Sequence, residues 1–172
     1  MSRNVIVTLL LVLAAAAGAG SSGVFTSDGD GDAGGGGPAG EGRVVRVVDG
    51  DTIAVLVGGR RERVRYIGID TPETHHPTKP VQCYGAKAAA YNARLVAGER
   101  VRLVRDVEER DRFGRLLAYV YRVRDGLFVN AELARRGYAR ALTIAPDVRY
   151  AERFATLVHD ARAAGRGLWS AC

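Results

Sequence analysis

Three short β-rich runs, separated by glycine-containing turns, follow one another early in the patterned part of the chain. They span residues 43–48, 51–57 and 61–69, with turns at 49–50 and 58–60. Short apolar runs bounded by Gly and Asp are typical of strands, and two- or three-residue connections are typical of hairpins. The sequence therefore predicts three consecutive antiparallel strands, which restricts the fold to classes that contain a meandering sheet.

The residues that follow add helices and strands in an order that argues against a parallel sheet. The pattern predicts a helix over 84–97, strands over 99–107 and 115–124, a short helix over 130–136 and a final helix from residue 151. A parallel sheet would need a helix after each strand, and the first three strands lack one. The predicted class is therefore α+β, mainly β, with a five-stranded OB-fold barrel and three helices.

Charged residues stand at the ends of these first strands, in a segment otherwise rich in Val and Ile. A period of two places Asp51 on the same face as Ile53, so its carboxylate should lie at the rim of the core. Strict alternation would separate Arg65 from Asp70, but a bulge at Gly68 would bring both to the same end of the sheet. A charged cluster in this position indicates a functional site.

The first 42 residues differ in composition from the rest. A basic start, an apolar run over residues 5–17 and small residues after it predict a secretory signal peptide that ends near residue 20. The run is shorter than the roughly 20 residues of a spanning helix, and an uncleaved anchor through residues 5–19 is the alternative. Residues 21–42 predict a flexible Gly- and Asp-rich linker, and residues 43–172 form the predicted domain. We expect a secreted protein.

The predicted domain is basic. Residues 43–172 hold 24 of the 25 Lys and Arg residues and 15 of the 19 Asp and Glu residues, which leaves a net charge of +9. Such a charge attracts polyanions, by steering and by counterion release from nucleic acid. An acidic cluster inside a basic domain fits a metal site that faces a phosphate backbone.

Two cysteines, Cys83 and Cys172, allow one disulfide. In an exported protein an even pair is more often bridged than free, and this bridge would fix the tail to the loop near the charged cluster. Two separate thiols are the alternative, because the sequence does not give the Cα separation that a disulfide requires.

Several short motifs occur together in a fixed order. They are Asp-Gly-Asp-Thr (49–52), Arg65, Asp-Thr-Pro-Glu (70–73), Tyr-Gly (84–85), Asp-Arg-Phe-Gly-Arg (111–115), Leu-Ala-Tyr-Val-Tyr (117–121) and Gly-Leu-Trp-Ser (167–170). Any one of them is a weak signal, but the ordered set, with similar spacings over about residues 43–170, resembles the staphylococcal nuclease, or thermonuclease, family.

The resemblance implies an OB barrel that binds calcium. Asp51, Asp70 and the backbone carbonyl of Thr71 would bind Ca²⁺, and Asp49 would stabilise the site without touching the ion. Calcium takes hard oxygen ligands and keeps several waters, so this set leaves positions open for a phosphate oxygen and a nucleophilic water.

The resemblance also implies a phosphodiesterase that cuts DNA and RNA and leaves 3′-phosphates. Glu73 would orient or deprotonate the attacking water, while Arg65 and Arg115 would hold the phosphate. Attack on a phosphodiester builds negative charge on the equatorial oxygens, which paired guanidinium groups can meet with bidentate hydrogen bonds. Lys would be a poor substitute at either position, because it lacks the planar fork.

Two features depart from the family's pattern. Residues 142–145 read Leu-Thr-Ile-Ala, where the best-known member has tyrosines that pack on the nucleotide. Phe113 stands where a tyrosine hydroxyl would lie near the terminal phosphate. Both departures bear on base stacking and base preference.

We therefore expect a calcium-dependent nuclease that acts on DNA and RNA as a monomer. No stable protein partner is implied, and membrane contact is expected only if the amino-terminal segment is retained. Two other classes stay open: a noncatalytic OB-fold module that binds nucleic acid, and a domain in which calcium is structural. A pure binding module has no reason to concentrate carboxylates where phosphates dock, and a structural calcium site does not need the arginines. Taken singly, Asp70 and Arg65 also fit a plain turn and a surface ion pair.

Overall fold

The computed structural model describes residues 38–74 and 80–172 of the chain. Across these two ranges the backbone forms seven strands and four helices, and no helix there is long and apolar enough to cross a membrane. In chain order they are β1 (Pro38–Asp49), β2 (Thr52–Val57), β3 (Arg60–Tyr66), β4 (Gly68–Asp70), α1 (Gly85–Val96), β5 (Arg100–Val104), β6 (Leu116–Arg122), α2 (Val129–Arg135), β7 (Arg140–Leu142), α3 (Ala151–Ala163) and α4 (Leu168–Ala171). The predicted signal peptide over residues 1–20, and the predicted linker before residue 38, lie outside the described residues.

Five of the strands close a barrel in the order β1-β2-β3-β6-β5. The two hairpins β1–β2 and β2–β3 are antiparallel, β5 is antiparallel to both β1 and β6, and β3 runs parallel to β6. Ile53, Val55, Val64, Val101 and Leu103 are fully buried in the core of the barrel. The predicted α+β class and five-stranded barrel are confirmed, including the three consecutive antiparallel strands.

Two details of the sequence prediction are corrected. The first strand begins at Pro38 rather than at residue 43, because residues 38–43 pair with β5. Their Gly-rich sequence lacks the alternation that marks a strand, and the pairing comes from a partner about 60 residues further along the chain. The described residues also form a fourth helix, the short α4, in the segment Leu-Trp-Ser-Ala.

Gly68 ends the third predicted strand and starts a new direction. Its φ is +81°, in the left-handed region that favours glycine, and a Cβ added there would overlap the ring of Phe154. Beyond it, β4 leaves the barrel and pairs with β7, placing Asp70 opposite Arg140. The single strand predicted over 61–69 is therefore two strands, and the irregularity predicted at Gly68 is a break rather than a bulge.

Gly68→Ala is expected to lower the free energy of unfolding by about 2–4 kcal/mol, from left-handed strain plus overlap with Phe154. Gly59→Ala is the matched control, because Gly59 has a φ of +80° with nothing within 4 Å of an added Cβ. We expect the control to lose about 1 kcal/mol, from strain alone. Urea denaturation of both variants measures the difference, and equal losses would show that the contact with Phe154 is unimportant.

The tail of the chain is fixed to the start of α1. Cys83 and Cys172 form a disulfide with a Cα separation of 6.0 Å, which confirms the predicted pairing. The bridge joins residues 89 positions apart, so it removes much of the unfolded chain's conformational freedom. It also fixes α4 beside the loop that follows the charged cluster.

Candidate active site

The Asp51 carboxylate lies at the end of the β1–β2 turn and is almost fully buried, with 6% of the residue exposed. Its Oδ2 accepts hydrogen bonds from the Thr71 backbone N–H (2.8 Å) and hydroxyl (3.0 Å), and its Oδ1 accepts one from the Thr52 hydroxyl (3.1 Å). These bonds satisfy the acceptor oxygens of a carboxylate that burial removes from water. The predicted position of Asp51, at the rim of the core, is confirmed.

The Arg65 guanidinium lies between the two aspartates that the sequence singled out. Its Nη2 donates to Asp70 Oδ1 (2.8 Å), and its Nη1 is 3.3 Å from Asp51 Oδ2. Nη1 also donates to the backbone carbonyls of Ile69 (2.8 Å) and Tyr66 (3.0 Å). One guanidinium thus joins both carboxylates to the backbone on either side of the strand break. The sequence prediction that Arg65 and Asp70 reach the same end of the sheet is confirmed.

Asp70 differs from Asp51 in being open to solvent on one side, with half of its side chain exposed. Partial burial raises the pKa of this carboxyl above its ordinary value. The Arg65 and Arg140 guanidiniums oppose that rise in the pKa of Asp70, whereas the nearby Asp51 and Asp49 carboxylates add to it. Several negative charges therefore crowd a small region, which is the condition under which a cation binds favourably.

Asp49, the last residue of β1, supports the same region. Its carboxylate accepts hydrogen bonds from the Gly50 N–H (2.8 Å) and from the Thr74 hydroxyl (3.0 Å). A Cβ at Gly50 would lie 2.6 Å from the Thr71 hydroxyl oxygen, so the turn and the 71–74 segment are packed closely together. The backbone carbonyl of Asp49 accepts a hydrogen bond from Asn92 Nδ2 (3.0 Å).

Two buried asparagines hold the framework of the site, and the sequence reasoning missed both. Asn92 on α1 donates to the Asp49 carbonyl, and its Oδ1 accepts a hydrogen bond from the Tyr66 hydroxyl (3.0 Å). Asn130 on α2 donates to the Ile67 carbonyl (2.9 Å), next to the strand break. Asn92 lies on the apolar face of a helix predicted from its pattern, and a polar residue on such a face signals a buried hydrogen-bond partner.

Glu73 lies three residues beyond Asp70 and is exposed. Its backbone is fixed on both sides by Gln82, whose side chain accepts from the Glu73 N–H (3.0 Å) and whose N–H donates to the Glu73 carbonyl (3.0 Å). The segment that carries this carboxylate is therefore held at a defined place beside Asp70 and Thr71. An exposed carboxylate in a fixed segment is suited to accept a proton from water.

Arg115 immediately precedes β6, whose first residue, Leu116, pairs with Val64 on the strand that carries Arg65. Its Nε donates to Asp111 Oδ2 (2.7 Å), and its guanidinium lies 5.4 Å from the centre of the Phe113 ring. Burial tends to raise the pKa of Asp111, but hydrogen bonds from Arg115 outweigh it and leave that pKa below its ordinary value. These contacts orient the Arg115 guanidinium, and part of the side chain stays exposed to solvent.

A cavity of about 630 Å³ has both arginines in its wall. Its wall also includes the exposed side chains of Phe113, Leu142 and Ile144. Phe113, Leu142 and Ile144, which belong to the segments that depart from the family's pattern, therefore share this cavity with the proposed phosphate-binding groups. A cavity with cationic and apolar walls fits a ligand that combines a phosphate with a flat organic group.

The donor atoms near Arg65 fit a hard divalent cation. Asp51 and Asp70 converge on one guanidinium, and the backbone of Thr71 directly follows Asp70. Within residues 38–74 and 80–172 no group of three or more His, Cys, Asp or Glu side chains is arranged to hold a metal. Two carboxylates and a backbone carbonyl are hard oxygen donors of the kind that Ca²⁺ accepts together with water.

Comparison with known proteins agrees with this geometry. The family model described as "Staphylococcal nuclease homologue" matches residues 63–171, which is more than half of the chain. The chain belongs to the staphylococcal nuclease family. The thermonuclease of Staphylococcus hyicus is 41% identical over 128 residues, which cover 74% of this chain and 75% of that protein.

Two further relatives match a smaller share of their own length. The thermonuclease of Staphylococcus intermedius is 48% identical over 107 residues, 62% of each chain. Endonuclease YncB of Bacillus subtilis is 40% identical over 127 residues, which cover 73% of this chain and 59% of that protein. The family predicted from the ordered motifs is confirmed.

The structure brings most of the predicted site residues together. One network of hydrogen bonds and ion pairs joins Asp51, Arg65, Asp70 and Thr71. Asp49 lies beside this network and bonds to Thr74. Their assignments as metal ligands or catalytic groups remain predictions, as do those of Glu73 and Arg115.

Proposed function

We propose that this chain is a secreted, calcium-dependent nuclease that hydrolyses phosphodiester bonds of DNA and RNA to 3′-phosphate products. Membership of the family, with relatives named thermonuclease and endonuclease, makes the chain a hydrolase of the nuclease class. The observation that carries the finer proposal is the position of Arg65, in contact with both carboxylates and in the wall of a cavity shared with Arg115.

Asp51, Asp70 and the Thr71 carbonyl would hold Ca²⁺. When bound, the ion would polarise a phosphate oxygen and make a bound water more acidic. Asp51 is already held rigidly by Thr71 and Thr52, so little ordering would be needed on binding. Asp70, half exposed, leaves the site open on the side from which a phosphate would enter.

The chain's own residues would supply orientation, charge and proton transfer. Arg65 and Arg115 face a common cavity and offer planar forks to the equatorial oxygens of the phosphate, where negative charge develops. Glu73 would take the proton from the attacking water, and hydrogen bonds with Gln82 fix the backbone that carries its carboxylate. Asp111 would hold Arg115 in position through its 2.7 Å hydrogen bond.

Secretion is supported by the disulfide and by the predicted signal peptide. Structural disulfides persist in oxidising compartments such as the extracellular space, and Cys83 and Cys172 are bridged. The basic charge of the domain suits a protein that meets nucleic acid.

Digestion of single-stranded DNA and of RNA by the full chain with Ca²⁺ tests the substrate and product claims. Both polymers should be shortened, and the fragments should accept a 3′-end label only after phosphatase treatment, because their 3′ ends carry phosphate. Fragments that accept the label directly would contradict the proposed bond cleavage. Binding of both polymers by folded protein without any shortening would favour the noncatalytic module.

Calcium is expected to stabilise the folded protein. A free Ca²⁺ concentration of about 100 times Kd should add about 2.7 kcal/mol, or about 5–11 °C in Tm for a chain of this size. Asp51→Asn should abolish this shift because it removes a ligand charge, whereas Asp160→Asn, an exposed position on α3, should keep it. Thermal melts with Ca²⁺ and with chelator measure both, and a shift that survives in Asp51→Asn would contradict the assignment.

A further inference from the structure

A second cavity, of about 500 Å³, is lined by three tyrosines and two arginines. We call it the tyrosine groove, and its lining residues are Tyr84, Tyr91, Arg136, Tyr138, Arg166 and Gly167. Its residues come from α1 and the residue before it, from the segment that follows α2 and from the turn between α3 and α4. None of them belongs to the site described above.

The rings of the groove form a stacked series. Tyr91 and Tyr138 are stacked, with ring centres 4.2 Å apart, and Tyr84 meets Tyr138 at 5.4 Å with a tilt of 34°. All three residues are partly exposed, so ring surface borders the cavity. Aromatic rings beside open space are the usual platform for unpaired bases, since every base has a flat π-face.

Cations surround these rings. Besides Arg136 and Arg166 in the wall, Lys87 lies with its Nζ 5.0 Å from the centre of the Tyr84 ring, and the Arg94 guanidinium lies 5.1 Å from that of Tyr91. Glu132 accepts hydrogen bonds from the Tyr91 hydroxyl and from Arg136 Nε, so the negative charge of Glu132 is matched locally. The remaining positive charge favours a ligand with a phosphate backbone.

The groove adjoins the segment that carries Glu73. A Cβ added at Gly85, the residue after Tyr84, would lie 2.9 Å from the Glu73 carbonyl oxygen. The Gln82 N–H bonds to that same carbonyl. The segment that carries Glu73 therefore packs against the backbone beside Tyr84.

The backbone conformation at Tyr84 is unusual, and it agrees with a ligand-binding role for the groove. Among the non-glycine residues of the described ranges, Tyr84 alone has a positive φ, at 71°. A bulky residue in this region is strained, and such positions cluster at ligand-binding sites. The groove itself is firmly built, because the Leu168 N–H donates to the Gly137 carbonyl (2.9 Å) and joins α4 to the end of α2.

We propose that the tyrosine groove binds nucleotides of a single-stranded DNA or RNA substrate beyond the scissile bond. Bases pack on the tyrosine rings, and phosphates pair with Arg136, Arg166 and Lys87. This inference rests on the proposed function for the identity of the strand, but the groove's contribution to binding can be measured separately from cleavage.

The test compares a strand of about 12 nucleotides, long enough to occupy both sites, with a dinucleotide that occupies only the active site. Binding of the fluorescently labelled 12-mer to the full chain is measured by anisotropy with chelator present. Cleavage of the dinucleotide is measured with Ca²⁺. The charge variant is Lys87→Gln with Arg166→Gln, and the stacking variant is Tyr84→Leu. The matched hairpin control is Arg60→Gln with Arg61→Gln, at the exposed start of β3.

The charge variant should weaken 12-mer binding about tenfold and reduce the slope of log affinity against log salt by about 1.4, the loss of two phosphate contacts on a single strand. Tyr84→Leu should weaken it about fivefold or more, from the loss of one stacked base. The hairpin control should change binding less than twofold, and kcat/KM for the dinucleotide should stay near that of the wild type in every variant.

Equal weakening by the groove and hairpin variants would overturn the proposal, because binding would then follow total charge rather than this groove. A parallel fall in dinucleotide cleavage would also overturn it, since the variants would be acting through the active site. Groove-dependent binding by a wild-type protein that cleaves neither substrate would instead remove the proposed nuclease function and leave the groove as a binding site.

Discussion

Replacement of Glu73 by Gln is expected to lower kcat for cleavage of single-stranded DNA by about 10²–10⁴-fold, the usual contribution of a general base. The amide has nearly the same shape but does not take a proton from water. Glu73 is exposed, and the two hydrogen bonds between its backbone and Gln82 remain available in the variant, so the fold should be kept. Equal melting curves for the variant and the wild type would establish that point.

Glu152→Gln is the matched control for this experiment. Glu152 is exposed on the first turn of α3, and its replacement by Gln removes the same negative charge. We expect full activity in this variant. If Glu73→Gln retained more than about a tenth of the wild-type rate, the proton-transfer role of Glu73 would be wrong.

Arg65→Lys is expected to reduce both activity and stability. The lysine keeps the positive charge but cannot reach Asp51, Asp70 and two backbone carbonyls together, as the guanidinium does. Loss of the fork should lower kcat by about 10²–10³-fold. The free energy of unfolding should fall by about 1–3 kcal/mol, because buried acceptors lose their donors.

Arg115→Lys provides the comparison. Arg115 contacts Asp111 at the start of β6, on a turn outside the network that joins the strand break. We expect a rate loss similar to that of Arg65→Lys, with a loss of stability below about 1 kcal/mol. Kinetics and urea denaturation of both variants separate the two roles. Loss of stability without loss of rate in either variant would assign that arginine to structure alone.

Much of the fold could be predicted because local patterns determined it. Apolar runs bounded by glycine turns indicated the strands of the barrel, and the alternation in β2 placed Asp51 at the rim of the core. The start of β1 at Pro38 was missed because its Gly-rich residues become a strand only through pairing with β5. The β4–β7 sheet was missed for the same reason, since each strand has three residues and its partner lies about 70 positions away.

The residues of the candidate site likewise include some that local patterns predicted and others that depend on distant contacts. Asp51, Arg65 and Asp70 were found because charged residues interrupt a β-rich segment, and a conformational break at Gly68 allowed them to meet. Asn92 gave a weaker signal, as a polar residue on an apolar helix face. The tyrosine groove gave none, because Tyr84 and Tyr91 belong to the α1 segment whereas Tyr138 follows α2, and only the packing of α1 against α2 brings them together.

Digestion of single-stranded DNA by the full chain, with Ca²⁺ and then with chelator, tests the central claim most directly. The reaction should proceed with Ca²⁺, stop when the chelator removes it, and resume when Ca²⁺ is restored. Asp51→Asn, assayed in parallel, should require far more Ca²⁺ or show no cleavage. Cleavage that continues at the same rate with chelator present would contradict a calcium-dependent nuclease centred on Asp51, Arg65 and Asp70.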